Sequence, residues 1–280
     1  MASRGRDSTA LAELWHEARL YRRLAANHVR GQMQYRVSFW MQIAGNALIY
    51  SLEFVAVLVF FLHFETLGGW EAGEIAFLYG LSSVSFGIAH IVGGGFASFS
   101  QLILRGDFDR LLTRPLSAFV QVLASDVQMR RLGTVIQGCV AFGVAAWLID
   151  IPWSAGRALY IPITILSATV LFTALFTLEA IVCFWTTQAT EVGNAFTYGG
   201  SNVALYPIHI FDSWMRRLFL FVIPLGLVIY APALYILDKN DPLSLPGWSR
   251  FMAPLAALLF AAAAATAWQA GVRHYRSTGT

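Results

Sequence analysis

"RGDFDRLLTRPLS", from Arg105 to Ser117, sets three arginines and two aspartates between two long apolar stretches. It is too charged to lie in hydrocarbon and too short to be a domain, so it reads as a loop between two membrane-crossing helices. The Arg-Gly-Asp at its start is a tripeptide that recurs by chance and carries no weight as an adhesion motif. The compartment that this loop faces fixes the direction of every crossing in the chain.

Composition supports a membrane setting. Of 280 residues, 57% are hydrophobic and 12% charged, against about 25% charged in a soluble domain. The net charge is +3 and the pI near 9.0, but the basic residues are scattered through loops beside apolar spans. No basic face interleaved with aromatics is present, so the excess concerns topology and not nucleic acid. Cys139 and Cys183 lie far apart inside apolar segments, where they read as small buried hydrophobes and imply neither a disulfide framework nor zinc. The amino terminus, "MASRGRDSTALAELWHEARLYRR", has no apolar h-region after its first arginines, so it is not a secretory signal and insertion relies on internal spans.

A helix needs about 20 mostly apolar residues to cross roughly 30 Å of hydrocarbon. Six segments qualify: about Phe39 to Phe64, Ile75 to Leu104, Phe119 to Ile149, Leu159 to Trp185, Leu218 to Leu237 and Phe251 to Val272. Asp126, Arg130 and Arg131 occupy the first half of the third, which places its true span from about Leu132. The fold class is therefore all-α, a polytopic membrane protein with six transmembrane helices, and with no repeat or soluble insertion it forms a single domain over 1–280. Within it, 1–37 form a cytoplasmic or interfacial lead and 38–280 the bundle. Of the 19 Lys and Arg residues, all but Arg157, Lys239 and Arg250 fall on one set of loops. The positive-inside rule makes those loops cytoplasmic, which places both termini and the Arg105–Ser117 loop inside the cell; the expected location is the inner (cytoplasmic) membrane.

Before the first span, Leu11, Leu14, Trp15, Ala18, Tyr21 and Ala25 share one helical stripe, with Arg19, Arg22, Arg23 and Glu17 mainly off it. That pattern suits an amphipathic helix in the inner headgroup layer, or a solvated helix docked on a partner, and the two are compatible. Between the fourth and fifth spans, "TTQATEVGNAFTYGGSNVALYPIHIFDSWMRR" is too broken for a clean span and too apolar for a plain loop. It reads as cytoplasmic or interfacial, with a re-entrant segment as the alternative.

Several chemistries lack their minimum parts. The single lysine, Lys239, follows Asp238, so the chain carries no phosphate-binding loop of the Walker type and is not expected to hydrolyse ATP itself. The histidines form no HExxH pair and no serine sits in a GxSxG elbow. Two carboxylates do fall within spans. Glu53 is about 14 residues into the first, roughly 21 Å from its inner end, and Glu179 lies near the inner end of the fourth. Intramembrane charges are costly and face a bundle interior or a watery cavity. Each reads either as a lining of a substrate route or proton site, or as a structural carboxylate bonded to neighbouring helices; Glu53 favours the first and Glu179, able to snorkel, the second. "IVGGGFASF", Ile91 to Phe99, reads as a close helix contact in preference to a hinge. Pro224 and Pro232 read as kinks.

Bounded by Gly106 and Pro115, the Arg105–Ser117 loop has room for one or two helical turns, with Asp107 or Asp109 at the positive amino end. Phe108, Leu111 and Leu112 then form an apolar ridge toward the cytosol, flanked by Arg110 and Arg114, as a docking element for a cytosolic partner requires. This block, the lead "YRRLAANHVRGQMQYRVSFW" and the late block "YPIHIFDSWMRRLFLFVIPLGLVIYAPALYIL" resemble permease subunits of the ABC-2 type, the exporter class of the ATP-binding-cassette superfamily, in the same order over almost the whole chain. The resemblance implies a six-helix permease with an amino-terminal interfacial helix and a coupling helix after the second span. It implies a partner permease, a second copy or a sister chain, and two separate ATPase subunits that hold the ATP and Mg, with no cofactor on this chain. Carried onto this sequence, Arg105, Gly106, Asp107, Phe108, Asp109, Arg110, Leu111, Leu112, Arg114 and Pro115 form the coupling element. Trp15, Arg19, Arg22 and Arg23 lie on the interfacial helix, the arginines facing the ATPase or acidic headgroups. The expected activity is export of a hydrophobic or amphipathic cargo; the rivals are a proton-coupled secondary exporter using Glu53 and a nontransporting membrane scaffold.

Overall fold

A computed structural model describes residues 4–185 and 190–275. Every regular element among them is helical. The lead helix α1, Arg4–Met33, passes after a short break into α2, Arg36–Phe60. α2 buries Phe39, Ile43 and Phe54 and leaves Leu48, Ile49, Leu52 and Val55 exposed. An apolar stripe of that kind is solvated by lipid, not water.

The connection to α3, Ala72–Ala97, turns at Gly68 (φ 59) and Gly69 (φ 80), where positive φ favours glycine. A capping box starts α3: the Glu71 backbone N–H donates to Glu74 Oε2 at 2.8 Å, and the Glu71 side chain accepts from the first turn. Being apolar or small all round, α3 is the buried centre of the bundle. It kinks at Gly93 (φ −114, ψ 16) and continues through α4, Phe99–Leu104, to Gly106 (φ 69), whose left-handed backbone turns the chain into α5, Asp107–Leu112. α6, Ala118–Leu123, and a tight 3-10 turn, Met129–Arg131, then lead into α7, Leu132–Leu148. The long helix α8 follows at Ala155–Val182, α9 at Thr190–Val203, α10 at Ser213–Arg217, α11 at Ala231–Ile236 and α12 at Ala253–His274.

Glycines draw the central helices together. A Cβ added to Gly80 of α3 would lie 3.0 Å from the Gly138 carbonyl oxygen of α7, and one added to Gly138 would lie 2.9 Å from the Val84 nitrogen. Such backbone approach replaces the hydrophobic drive that lipid removes. In the Gly93–Gly95 run, Gly94 and Gly95 meet the backbone of the 122–126 segment, while Gly93 makes the kink. Packing and bend thus fall on neighbouring residues.

Among the described residues five helices are long and apolar enough to cross a membrane: Arg36–Phe60, Ala72–Leu104, Met129–Leu148, Ala155–Val182 and Ala253–His274. They match five of the six expected spans, and α7 begins at Leu132 as the charge pattern requires. The fifth expected crossing, Leu218 to Leu237, is corrected. Phe184 packs beside Phe99, Phe108 and Trp268 at the α5 end of the molecule. His209, 25 residues later, bonds the Gly68 carbonyl at 2.7 Å, beside the α2–α3 turn at the far end. Between them α9 and its extension climb along α3, with Tyr198 beside His90 and the Ser201 carbonyl facing Ser82. The segment read as cytoplasmic or interfacial therefore runs from one end of the bundle to the other; its residues 186–189 lie outside the described residues.

After His209 the chain dips and returns. Phe219 and Leu225 come down beside Gly200, and Gly226 meets Ile208 and Leu220. Tyr230 then rises back to His209 and Asp241. The turn is set by Pro224, which pushes Ile223 into extended backbone (φ −112, ψ 91), and the two arms meet at 75°. Leu218 to Leu237 is thus a re-entrant hairpin, and Arg216 and Arg217, counted with the cytoplasmic arginines, enter it from the far end. The sequence pattern does not distinguish the two because a hairpin packed inside a bundle is as apolar as a span. Ion pairs tie that end together: Lys239 to Glu74 at 2.6 Å and Arg157 to Asp238 at 2.8 Å.

Candidate functional site

At the α5 end, the six-residue helix Asp107–Leu112 is too short to stand alone in water. It is held by Phe108, which is fully buried with ring centroids 5.0 Å from Phe99, 5.7 Å from Phe184, 6.2 Å from Trp268 and 5.0 Å from Tyr275. These rings come from α4, the end of α8 and the end of α12. A movement of α5 is thereby shared with three membrane helices. Asp109 lies beside the Tyr275 hydroxyl, and burial together with that carboxylate holds the hydroxyl's pKa above the usual phenol value. Arg110 pairs with Asp107 at 3.5 Å and Gln121 bonds the Leu111 carbonyl at 3.2 Å, pinning α5 to α6.

The expected cytosolic ridge is corrected accordingly. Phe108 points into the bundle and Leu111 is half-buried, because a short helix gains more from an aromatic socket than from an open face. What α5 and the turns on either side of it present outward is Arg105, Arg110, Leu112, Arg114 and Pro115. Gly106 serves the left-handed turn and Asp107 the first helical turn.

On α1, Trp15, Arg19, Arg22 and Arg23 are all exposed; of the stripe expected from the sequence, Tyr21 and Ala25 are half-buried and Trp15 and Ala18 exposed, while the side chains of Leu11 and Leu14 lie outside the described residues. Leu20, Tyr21, Leu24 and Gln32 face inward, with the Tyr21 hydroxyl donating to the Val92 carbonyl at 3.0 Å and Gln32 to the Val127 carbonyl. Trp15 and Ala18 belong to the outer face. Apolar residues on two sides of one helix satisfy both a protein contact and a second apolar surface.

Toward the far end of the bundle, α2, α3 and the end of α9 line an open cleft of about 620 Å³, with Glu53, Phe60, Tyr79, Asn202, Leu205 and Tyr206 in its wall. It narrows toward the α5 end into a polar recess of about 150 Å³ with Tyr50, Ser82, Ser83, Thr134 and Tyr198 in its wall. Glu53 lines both chambers, so a carboxylate sits at the junction of an apolar and a polar space. Glu179 is elsewhere: buried between α8 and α9, it accepts a hydrogen bond from Thr197 at 3.0 Å. The two carboxylates are not brought together, and Glu179 lies outside the lining of both chambers.

Beyond the recess lies a residue that sequence reasoning assigned to a loop. Arg131 is 8% exposed and donates to the Tyr50 hydroxyl at 2.6 Å and the Tyr198 hydroxyl at 3.0 Å. Tyr198 in turn meets His90 Nε2 at 3.2 Å, and His90 Nδ1 meets the Phe86 carbonyl at 3.2 Å. A guanidinium only donates and a carbonyl only accepts, so the chain runs Arg131 to Tyr198 to His90 to Phe86. Adjacent Arg130 and Arg131 read as surface charge; the tyrosines at 50 and 198 that receive one of them are remote in sequence and gave no signal.

No curated protein and no solved structure matches the chain. A family model described as "ABC-2 family transporter protein" matches residues 47–279.

Proposed function

The chain belongs to the ABC-2 transporter family, a multi-pass permease of an ABC-type transporter, and from that premise we propose that it is the membrane subunit of an exporter driven by separate ATPase subunits. In this reading the single domain pairs with a second permease, a copy or a sister chain, and crosses the inner membrane six times with both termini in the cytoplasm. The crossings are α2, α3 with α4, α7, α8, the path through α9, and α12. α5 is the coupling helix and α1 lies at the cytoplasmic interface. With Arg216 and Arg217 reassigned, most Lys and Arg residues still fall on the α5 side, in keeping with that orientation.

The observation that carries the proposal is the mounting of α5: a short helix, charged outside and locked by Phe108 into rings from three membrane helices. Such a part transmits a push from a cytosolic machine to the bundle. The cleft is the cargo route. Its wider chamber is mostly apolar and its recess polar, which suits an amphipathic molecule, and Glu53 at the junction orients it. ATP-driven closure of the ATPase pair moves α5, and the cargo is carried because it binds the two access states unequally.

Charge reversal of Arg110 and Arg114 to glutamate tests this. Both are exposed, so insertion and thermal stability are expected to stay near wild type. Co-purification of the ATPase in mild detergent falls by at least about tenfold, as expected when two rim charges meet like charge across an interface. Undiminished co-purification places the docking surface elsewhere.

A further inference from the structure

We infer that Arg131 is a clasp that closes the cleft toward the α5 end, holding α2 and α9 together through Tyr50 and Tyr198; this rests on the reading of the cleft as the cargo route. Its two donor contacts reach helices that are far apart in sequence and face each other across the polar recess. Glu53 and Asn202 line the cleft on its far-end side, one turn beyond Tyr50 and Tyr198 respectively. The direct line along the cleft from the α5 end to Glu53 runs between the two phenols that the guanidinium draws together.

The energetics of the contact suit a gate better than a permanent brace. Among the described residues no carboxylate lies within ion-pair distance of Arg131, and its Nε–H has no acceptor. A buried guanidinium held by two neutral hydroxyls recovers little of its lost hydration. Parting α2 from α9 exposes the group to water, which replaces both phenols and satisfies the orphan N–H. The closed state is thereby favoured by little more than the two hydrogen bonds themselves, so a modest push decides between the states.

The push has a short route. Arg131 ends the 3-10 turn that packs on α2 and α3, and α6, just before it, packs on α5 and α1. Gln32 near the end of α1 bonds the carbonyl of Val127, two residues before that turn. His90 fixes the other side: buried against Phe86 and Phe176, it accepts the hydrogen bond of the Tyr198 hydroxyl and so leaves the phenol oxygen's lone pairs to Arg131.

The test is labelling of a single cysteine at Asn202→Cys, with Cys139 and Cys183 replaced by alanine, in inside-out vesicles carrying the whole complex without nucleotide. A membrane-impermeant maleimide added from the cytoplasmic side is expected to react slowly. With Arg131→Gln, and also with Tyr198→Phe combined with Tyr50→Phe, the rate rises about tenfold or more, the equivalent of losing one charge-assisted hydrogen bond. Arg131→Lys, which keeps the charge but cannot reach both phenols at once, gives an intermediate rate. A cysteine at exposed Ser244→Cys, labelled from the opposite face at an unchanged rate, certifies the fold of each variant. Rapid labelling of Asn202→Cys with Arg131 intact, or equal rates across the series, overturns the clasp. ATPase co-purification from the same membranes reads the transporter assignment separately, so the loss of one leaves the other standing.

Discussion

Phe108→Ala is expected to uncouple the complex. Removing a fully buried phenylalanine costs about 3–5 kcal/mol, and here nearly all of it falls on the anchoring of α5. A helix of six residues has no stability of its own, so α5 frays while the membrane helices, packed through Gly80, Val84 and Gly138, stay inserted. The ATPase is then lost from the purified complex, or its stimulation by cargo drops to the basal rate. Phe108→Leu, which refills part of the socket, recovers a fraction of the stimulation. Hydrolysis measured in reconstituted vesicles decides the matter; full stimulation in Phe108→Ala would show that α5 transmits nothing.

Gly95→Val is expected to damage the fold itself. A Cβ at Gly95 would overlap the Val122 carbonyl oxygen and press on the Ser125 hydroxyl. Backbone cannot rotate out of the way as a long side chain can, so the cost lies at or above the usual 1–3 kcal/mol of overpacking. α6 is forced off α3, and with it the link from α5 to Arg131. The variant is expected to accumulate poorly and to unfold in detergent many degrees below wild type. Gly143→Ala, where an added Cβ meets nothing within 4 Å, serves as the neutral comparison. Equal melting temperatures for the two would contradict the close packing of α3 on the 122–126 segment.

Much of this fold is readable because lipid imposes a simple rule on composition. Long apolar runs between charged loops locate α2, α3, α7, α8 and α12 to within a few residues, and Asp126, Arg130 and Arg131 mark where α7 begins. The same rule fails for Leu218 to Leu237, since a hairpin sheltered by neighbouring helices carries no composition that separates it from a crossing. It fails for Phe108 as well. An apolar residue in a charged loop signals burial against something, and sequence alone does not say whether that something is a partner or the chain's own bundle. Glu53 was legible as a pathway candidate because an intramembrane carboxylate is conspicuous. Arg131 was not, because its burial depends on Tyr50 and Tyr198 arriving from two other helices, a relation that no local pattern encodes.

The central claim is that the outward face of α5 meets an ATPase in the cytoplasm. Leu112, 39% exposed on that face, allows a direct measurement: Leu112→Cys in the background free of Cys139 and Cys183, carrying a short photo-crosslinker, irradiated in native membranes. The expected product is a covalent adduct with a nucleotide-binding subunit, formed when the reagent enters from the cytoplasmic side. Labelling of Leu112→Cys only from outside the cell, with no ATPase adduct, would contradict both the orientation and the engine proposed for this permease.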